Sequence, residues 1–357
     1  MQRTLVAVIL LVVCATPLWA VGAKAADQAV GEAFPAMDAN RKAHLVSFLL
    51  SLSEGEVLVI GFGDRSASFA VKKDAVEVEV RGGMPALPQT PAPVVQPQLG
   101  PDAKPWERPG AAVEDEIIGP DGGTYVWVPE GQFTMGSTDE EIEYVVKGGL
   151  AGGSDWVPCE KPAHLVTITR GFWLGKCEVT NAQYRKFCEA TGTAFPPQSD
   201  QPEDHPVVNM YWEDAKAYCN HFGMRLPTAA EWEYAARGPQ GWRWPWGDGW
   251  DDLVCCNAAN PGPAGMTFPV GMFPDGASWC GALDLAGNVE EWCADWFDAG
   301  YYAVSPAADP AGPKAGTERV IRGGSHRLSA WNSRAAYRGR AGCGIFDLGF
   351  RAVIVPK

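Results

Sequence analysis

Short amphipathic stretches separated by loops recur along the C-terminal two thirds of the chain. Apolar positions with the i, i+3, i+4, i+7 spacing of one helix face precede Gly223: Ala215, Tyr218, Cys219 and Phe222. A second helix is predicted over 181–190, before Gly192. The capping-box sequences Ser137–Glu140 and Thr228–Glu231 predict two further helix starts.

The N-terminal third has a different texture. Helical spacing over Asn40–Leu52 and two β-like runs within Glu56–Val80 predict a small helix-plus-hairpin module at 26–83, whose role the sequence leaves open. Prolines then recur from Met84 to about Gly110, where they remove backbone donors. Residues 84–116 are therefore predicted to be a linker, the alternative being an ordered strap over the next domain.

The extreme N-terminus resembles a secretory signal. Gln2 and Arg3 precede the apolar run Leu5–Val13, and small residues at 23–25 match a signal-peptidase site. Residues 1–25 are predicted to be a signal peptide, so the mature protein is expected to be periplasmic or extracellular, without a membrane span. A membrane anchor over 5–21 is the alternative, which Pro17 disfavours.

Composition narrows the partners and the kinds of site. The formal net charge of −14 disfavours nucleic acid and anionic membrane surfaces, which select basic patches. Signal removal leaves nine of the ten cysteines, which are predicted to be core or disulfide residues: Cys159, Cys177, Cys188, Cys219, Cys255, Cys256, Cys280, Cys293 and Cys343. The sequence contains neither C-x-x-C nor H-E-x-x-H, so a zinc site has little support.

Motifs in a fixed order carry a family resemblance. They are Tyr125–Pro129, Phe133–Ser137, Glu160–His164, Glu178–Asn181, His205–Val208, Arg225–Thr228, Glu231–Gly238, Trp246–Asp248, Leu285–Trp292, Arg322–Ser325 and Gly349–Arg351. In this order they resemble the formylglycine-generating-enzyme, or sulfatase-modifying factor, domain over 117–355. The resemblance implies an α+β fold related to the C-type-lectin-like fold, with little regular secondary structure.

Several motif residues are predicted to be structural. Arg237, Arg322 and Arg351 are expected to pair with buried carboxylates or carbonyls. Tryptophans within or near the motifs are expected to fill the core: Trp232, Trp246, Trp292 and Trp296. Gly323–Gly324 is expected to form a tight turn beside a cleft.

The segment Asp284–Glu291 is a predicted calcium site. Hard cations such as Ca²⁺ take six to eight oxygens from carboxylates, main-chain carbonyls and water. The resemblance implies that Asp284 and Glu291 supply side-chain ligands and that Gly287 and Val289 supply carbonyl oxygens. A solvated acidic turn that caps a helix is the alternative. The family's other calcium site is not predicted, because residues 261–267 lack the acidic residue expected there.

The resemblance fails at the catalytic cysteine pair. In the family's enzymes, copper held by two cysteines after the Gly-Gly-Ser motif activates oxygen to convert a substrate cysteine into formylglycine. Leu328 and Ser333 occupy those positions here, so copper binding is not expected. The active-site serine persists as Ser325, whereas a neighbouring tryptophan becomes Glu290. The resemblance also implies a disulfide at Cys219, but Ala352 occupies the position of its partner cysteine.

Three functions follow as hypotheses. The first is a non-catalytic module, stabilised by calcium, that binds a peptide, glycan or protein. The second is an enzyme with altered oxidative or other chemistry, with Ser325, His326, Ser333 and Glu290 as candidate cleft residues. The third is a variable, lectin-like ligand-binding protein. A true formylglycine-generating oxidase is the least favoured, and whether the protein is an enzyme stays open.

Overall fold

The computed structural model describes the backbone of 57–62, 65–72 and 75–81, and residues 104–147, 158–196, 202–343 and 347–357. The predicted signal peptide, the helix over Asn40–Leu52 and most of the proline-rich segment lie outside these residues. The chain divides into two units, Met1–Gln96 and Pro97–Lys357.

The first unit contains a three-stranded antiparallel sheet. Its strands are β1 (Val57–Phe62), β2 (Arg65–Lys72) and β3 (Ala75–Arg81), paired in the order β1-β2-β3. The sequence predicted two β-like runs, but the second run is two strands. The second run divides because Lys72 pairs with Ala75 across β2 and β3.

The second unit is a mixed α+β fold of short elements. Its strands are β4 (Glu116–Ile118), β5 (Thr124–Val128), β6 (Gly131–Met135), β7 (His164–Ile168), β8 (Phe172–Gly175), β9 (Glu290–Trp296), β10 (Arg319–Arg322), β11 (Gly339–Ala341), β12 (Leu348–Gly349) and β13 (Val353–Ile354). Its helices are α1 (Asp139–Lys147), α2 (Asn181–Thr191), α3 (Trp212–His221) and α4 (Ala229–Arg237). Short 3-10 turns cover Pro105–Glu107, Asp252–Val254, Pro263–Gly265, Pro274–Gly276 and Tyr301–Ala303.

Three sheets organise this unit. One has the order β11-β10-β9-β12, with β12 parallel to β9, and a second has the order β13-β8-β5-β4. Strands β6 and β7 form a separate antiparallel pair. Within the described residues, no helix combines the length and apolar character that a membrane crossing requires.

All four predicted helices are present, and two of the three predicted starts, at Asn181 and Thr228, are confirmed. Thr228 caps α4 by accepting a bond from the Glu231 amide at 3.1 Å, as the capping box predicts. The start of α1 is displaced by one residue, because Thr138 rather than Ser137 caps it. The Ser137 hydroxyl instead donates to the Glu160 carboxylate at 2.5 Å, so a buried acceptor takes it away from the helix end.

Tryptophans fill much of the core, though not all those predicted. Trp232 and Trp292 are completely buried, whereas Trp246 and Trp296 are half-buried. The expectation for the latter two was wrong, because each packs against a partly exposed ring. Trp246 packs against Trp250 with ring centroids 5.6 Å apart, and Trp296 stacks on Trp212 at 6.5 Å.

Buried ion pairs tie the sheets to the helices, and the prediction for the three arginines is confirmed. Arg237 and Arg322 share the Glu233 carboxylate, at 3.1 and 2.8 Å. Arg351 binds Glu291 with both contacts at 2.7 Å. Guanidinium groups neutralise these carboxylates where water cannot reach.

No disulfide is formed among the cysteines of the described residues. Seven of the nine are buried, Cys177 is half-buried and Cys343 is exposed. Burial raises the pKa of the Cys255 and Cys256 thiols to about 12, so both stay protonated at neutral pH. Of the two roles predicted for these cysteines, the core role is the one observed.

Candidate functional site

The candidate site forms where β9 and β12 begin and β10 ends, beside the Gly323–Gly324 turn. The Glu290 amide donates to the Asp347 carbonyl at 2.8 Å, which joins the start of β9 to the residue before β12. Gly324 has a left-handed φ of 68°, and a Cβ built there would lie 2.8 Å from the Ser333 hydroxyl. The turn therefore needs glycine both for its conformation and for its contact. We call Glu290, Ser325, His326, Ser333 and Asp347 the Glu290 cluster.

Ser325 is completely buried and bonded on both sides. Its hydroxyl donates to Asp347 Oδ2 at 2.5 Å and accepts the Arg327 amide at 3.3 Å. The hydrogen bond from the Arg327 amide orients the Ser325 hydroxyl towards the Asp347 carboxylate. Asp347 is half-buried, so the pair lies between the core and the surface.

His326 is half-buried beside this pair. Its amide and its Nδ1 both lie within hydrogen-bond distance of the Asn288 carbonyl, at 2.9 and 3.0 Å. Since a carbonyl only accepts, Nδ1 carries the proton and Nε2 of the neutral ring keeps its lone pair. Burial lowers the pKa of His326, so the ring is neutral at pH 7.

Glu290 is the unusual member of the cluster. Its side chain is 5% exposed, and burial together with the charge of Asp347 raises the pKa of its carboxyl to about 8. No hydrogen bond or ion pair joins this carboxyl to another of the described residues. At neutral pH it is mostly the protonated acid, which can both donate and accept a hydrogen bond.

Leu328 and Ser333 occupy the positions where the resemblance places cysteines. Leu328 is half-buried, and its backbone bonds to Ser325 and Ala258. Ser333 is completely buried, and its hydroxyl donates to the Ser329 carbonyl at 3.3 Å. The alkyl group has no donor atom, and the hydroxyl is already engaged.

The segment predicted to bind calcium packs beneath the cluster. Gly287 donates to the Gly323 carbonyl at 2.7 Å, and Asn288 donates to the Cys256 carbonyl at 2.8 Å. A Cβ at Gly287 would lie 2.0 Å from the Cys256 oxygen, so glycine is required there. Val289, the last residue before β9, is completely buried. The predicted carbonyl ligands thus lie in an ordered loop, not in a solvated turn.

The two predicted side-chain ligands have different surroundings. Both Glu291 oxygens are engaged, by Arg351 and by the Trp232 indole at 2.9 Å. Asp284 is 8% exposed and accepts the Gly271 amide at 2.6 Å. Glu291 is therefore part of an internal ion pair, whereas Asp284 has oxygen lone pairs to spare.

Glu178, which was not predicted as a site residue, lies beside Asp284. It is 2% exposed, and its carboxyl group faces that of Asp284, with no hydrogen bond to any other side chain of the described residues. Burial and the charge of Asp284 raise the pKa of Glu178 well above its ordinary value. Two adjacent buried carboxyl groups without an ion-pair partner suit a hard cation, so this donor set fits calcium.

Within the described residues, no three His, Cys, Asp or Glu side chains form a metal-binding group. A calcium ion here would therefore depend on carbonyl and water oxygens in addition to carboxylates. A cavity of about 330 Å³ opens beside Glu178 and gives water a place, with lining residues that include Asp121, Cys177, Glu178 and Gln183.

Sequence reasoning found four of the five residues of the Glu290 cluster and missed Asp347. That aspartate directly precedes the Leu348–Arg351 stretch, and the bond from Ser325 became visible only in the structure. Glu178 was likewise noted only as part of the Glu178–Asn181 motif. An acidic residue that opens a motif is the signal that could have identified it.

Comparisons with known proteins agree with this architecture. Residues 116–355 match the family described as the sulfatase-modifying factor enzyme 1-like domain. The formylglycine-generating enzyme of Streptomyces coelicolor is 33% identical over 296 residues, covering 66% of this chain and 84% of that protein. The hercynine oxygenase of Mycolicibacterium thermoresistibile is 33% identical over 222 residues, covering 50% of this chain and 49% of that protein.

A solved structure shows the same fold. PvdO from Pseudomonas aeruginosa aligns with a TM-score of 0.58 and 26% identity, covering 68% of this chain and 99% of that one. The family match spans well over half of the chain, and the predicted α+β fold is confirmed. The chain belongs to the sulfatase-modifying factor, or formylglycine-generating-enzyme, family.

Proposed function

We propose that this protein is an exported binding module of the family, which holds a ligand at the Glu290 cluster and has no copper-thiolate chemistry. The observation that carries the proposal is the pair Leu328 and Ser333. A leucine side chain has no donor atom, and a serine hydroxyl bonded to the Ser329 carbonyl stays protonated. Cu(I) selects soft thiolates, so neither residue can hold it.

Competition for Cu(I) against a coloured chelator tests this proposal. The unmodified protein is expected to take up no copper beyond that bound by exposed Cys343, so Cys343→Ala should abolish any uptake. The double variant Leu328→Cys with Ser333→Cys should gain copper affinity, and Leu328→Ala with Ser333→Ala is its matched control. Copper that stays bound to the Cys343→Ala protein would contradict the proposal.

An enzyme with different chemistry is the second candidate. Neutral Glu290 and the Nε2 lone pair of His326 are an acid and a base beside one turn, the kind of pair that proton transfer requires. A relative named hercynine oxygenase supports reactions other than formylglycine formation in this family. Mass spectrometry of a peptide and metabolite extract incubated with the protein separates the two candidates. A product formed by the unmodified protein but not by Glu290→Gln favours the enzyme.

The calcium proposal is narrowed by the surroundings of its ligands. Asp284 and the carbonyl oxygens of Gly287 and Val289 remain proposed ligands, and the buried carboxyl group of Glu178, which faces that of Asp284, supports its addition. Glu291 was predicted as a ligand, but Arg351 already holds it. The role proposed for calcium is structural, because the loop it would hold supports the turn at Gly323.

Export is proposed on the sequence alone. The apolar run and the small residues at 23–25 predict a mature N-terminus near Ala26. N-terminal sequencing of protein recovered from the periplasm or medium would identify the first residue. A mature protein that retains Met1 would contradict export by cleavage.

A further inference from the structure

Several of the buried carboxylates in this fold are neutralised in the same way. Four of them are each held by an arginine of the same chain: Glu141 by Arg237, Glu160 by Arg334, Glu233 by Arg322 and Glu291 by Arg351. The Arg334 pair is bidentate, with contacts of 2.8 and 3.0 Å. A buried carboxylate left alone is costly, so a guanidinium partner is the expected arrangement.

Glu290 lies next to one of these pairs in β9 and has no such partner. Its neighbour Glu291 faces Arg351. Glu290 lies on the other face of the strand, and its amide donates to the Asp347 carbonyl at 2.8 Å, which places a second carboxyl-bearing residue beside it. The buried arginines of the surrounding segment are engaged elsewhere: Arg322 with Glu233, Arg334 with Glu160, and Arg338 with the Cys159 and Asp298 carbonyls. Arg327 follows His326 but is exposed, and its side chain forms no ion pair with Glu290 or Asp347. No cation in the described part of the chain reaches the Glu290 carboxyl.

The rest of the cluster presents acceptors. Asp347 uses Oδ2 for Ser325 and is half-buried, so its carboxylate is reachable from outside. The Ser325 proton is directed to Asp347, and the Ser333 proton is directed to the Ser329 carbonyl. Two carboxyl groups without a cationic partner therefore meet at the edge of the core.

We propose that the Glu290 cluster recognises an organic cation, a guanidinium or protonated amine, whose N–H groups bond to Glu290 and Asp347. The ligand would supply from outside the positive charge that arginines supply to Glu141, Glu160, Glu233 and Glu291. This inference rests on the proposed binding function and names the class of its ligand. The cation can be a free small molecule or a lysine or arginine side chain of a peptide.

Titration calorimetry with two probes of equal shape tests the cation requirement. Butylguanidinium carries the charge, and butylurea is its neutral counterpart. We expect butylguanidinium to bind at least about tenfold more tightly than butylurea, the ratio that corresponds to 1.4 kcal/mol. A Gly-Arg-Gly peptide compared with its citrulline analogue then distinguishes a peptide side chain from a free cation as the source.

Substitutions in the Glu290 cluster test whether butylguanidinium binds there. Glu290→Gln and Asp347→Asn should each weaken butylguanidinium binding by at least about tenfold, and the exposed control Asp275→Asn should leave it unchanged. Thermal melting checks folding, and Asp347→Asn carries the test if Glu290→Gln does not fold. Equal binding of both probes, no saturable binding, or unchanged affinity in the folded cluster variants would overturn the inference. Failure here together with the expected copper result would leave a binding module with another class of ligand.

Discussion

At the scale of single residues, the least expected feature is a carboxyl group placed where the resemblance has a tryptophan. Glu290 is buried, and its carboxyl group has a pKa of about 8. Burial of this group stabilises the protonated form in the folded protein relative to the unfolded chain. The stability of the protein must therefore depend on its protonation.

Replacement of Glu290 by Gln tests this dependence. The folded protein binds the proton more tightly than the unfolded chain, so between the ordinary glutamate pKa and about 8 the wild type loses stability as pH rises. Since one pKa unit corresponds to about 1.4 kcal/mol, the total loss is up to about 5 kcal/mol. Urea unfolding from pH 5 to 9 should show the wild-type stability falling relative to Glu290→Gln. If the stabilities of the wild type and Glu290→Gln changed with pH in the same way, the buried environment assigned to the Glu290 carboxyl would be contradicted.

The sequence predicted some of these residues better than others. Ser325 and Glu290 were found because the flanking motifs fix their positions. Asp347 was missed because its partner lies 22 residues away in the chain, and only the pairing of β12 with β9 brings the two together. Trp246 and Trp296 were assigned to the core from residue type alone, although large rings often stay partly exposed.

At the scale of elements, local hydrogen bonding at helix ends accounts for what the sequence predicted. Thr228 and Glu231 bond reciprocally at the start of α4, and the same glutamate binds Arg225 through two contacts of 2.6 Å. The short strands had no comparable local signal. Strand β5 is nearly buried throughout, and β12 and β13 have two residues each, so neither alternation nor length could identify them.

Removal of the Thr228 cap should destabilise the domain by about 1 kcal/mol, the usual effect of losing such a side chain. Thr228→Ala is the test variant, and Thr228→Ser is the control that keeps the hydroxyl. In urea unfolding, Thr228→Ala should have a lower midpoint than Thr228→Ser, while the dependence of the unfolding free energy on urea concentration stays the same. Equal stability of both variants would mean that tertiary contacts, not the cap, define the start of α4.

At the scale of the whole molecule, irregular loops surround two buried clusters of side chains, and buried ion pairs connect them. The loop over 284–289 links the Glu290 cluster to the segment around Cys256 through backbone bonds. With no disulfide among the described cysteines, stability depends on packing, on arginine pairs and on the proposed calcium ion. These contributions can be separated experimentally.

Chelation of calcium should lower the melting temperature by several degrees, because a ligand that binds only the folded state stabilises it. Asp284→Asn should remove most of this difference. Glu291→Gln should instead destabilise the protein by about 3–5 kcal/mol with or without calcium, because it leaves Arg351 buried without its partner. Melting curves that chelation does not change would reject the calcium site.

We propose that the domain has the family's fold without its copper-thiolate chemistry. Aerobic incubation of the copper-treated protein with a sulfatase-type cysteine peptide, followed by mass spectrometry of the peptide, tests this claim most directly. We expect the cysteine to stay unmodified. Formylglycine formation that persists in the Cys343→Ala protein would contradict it.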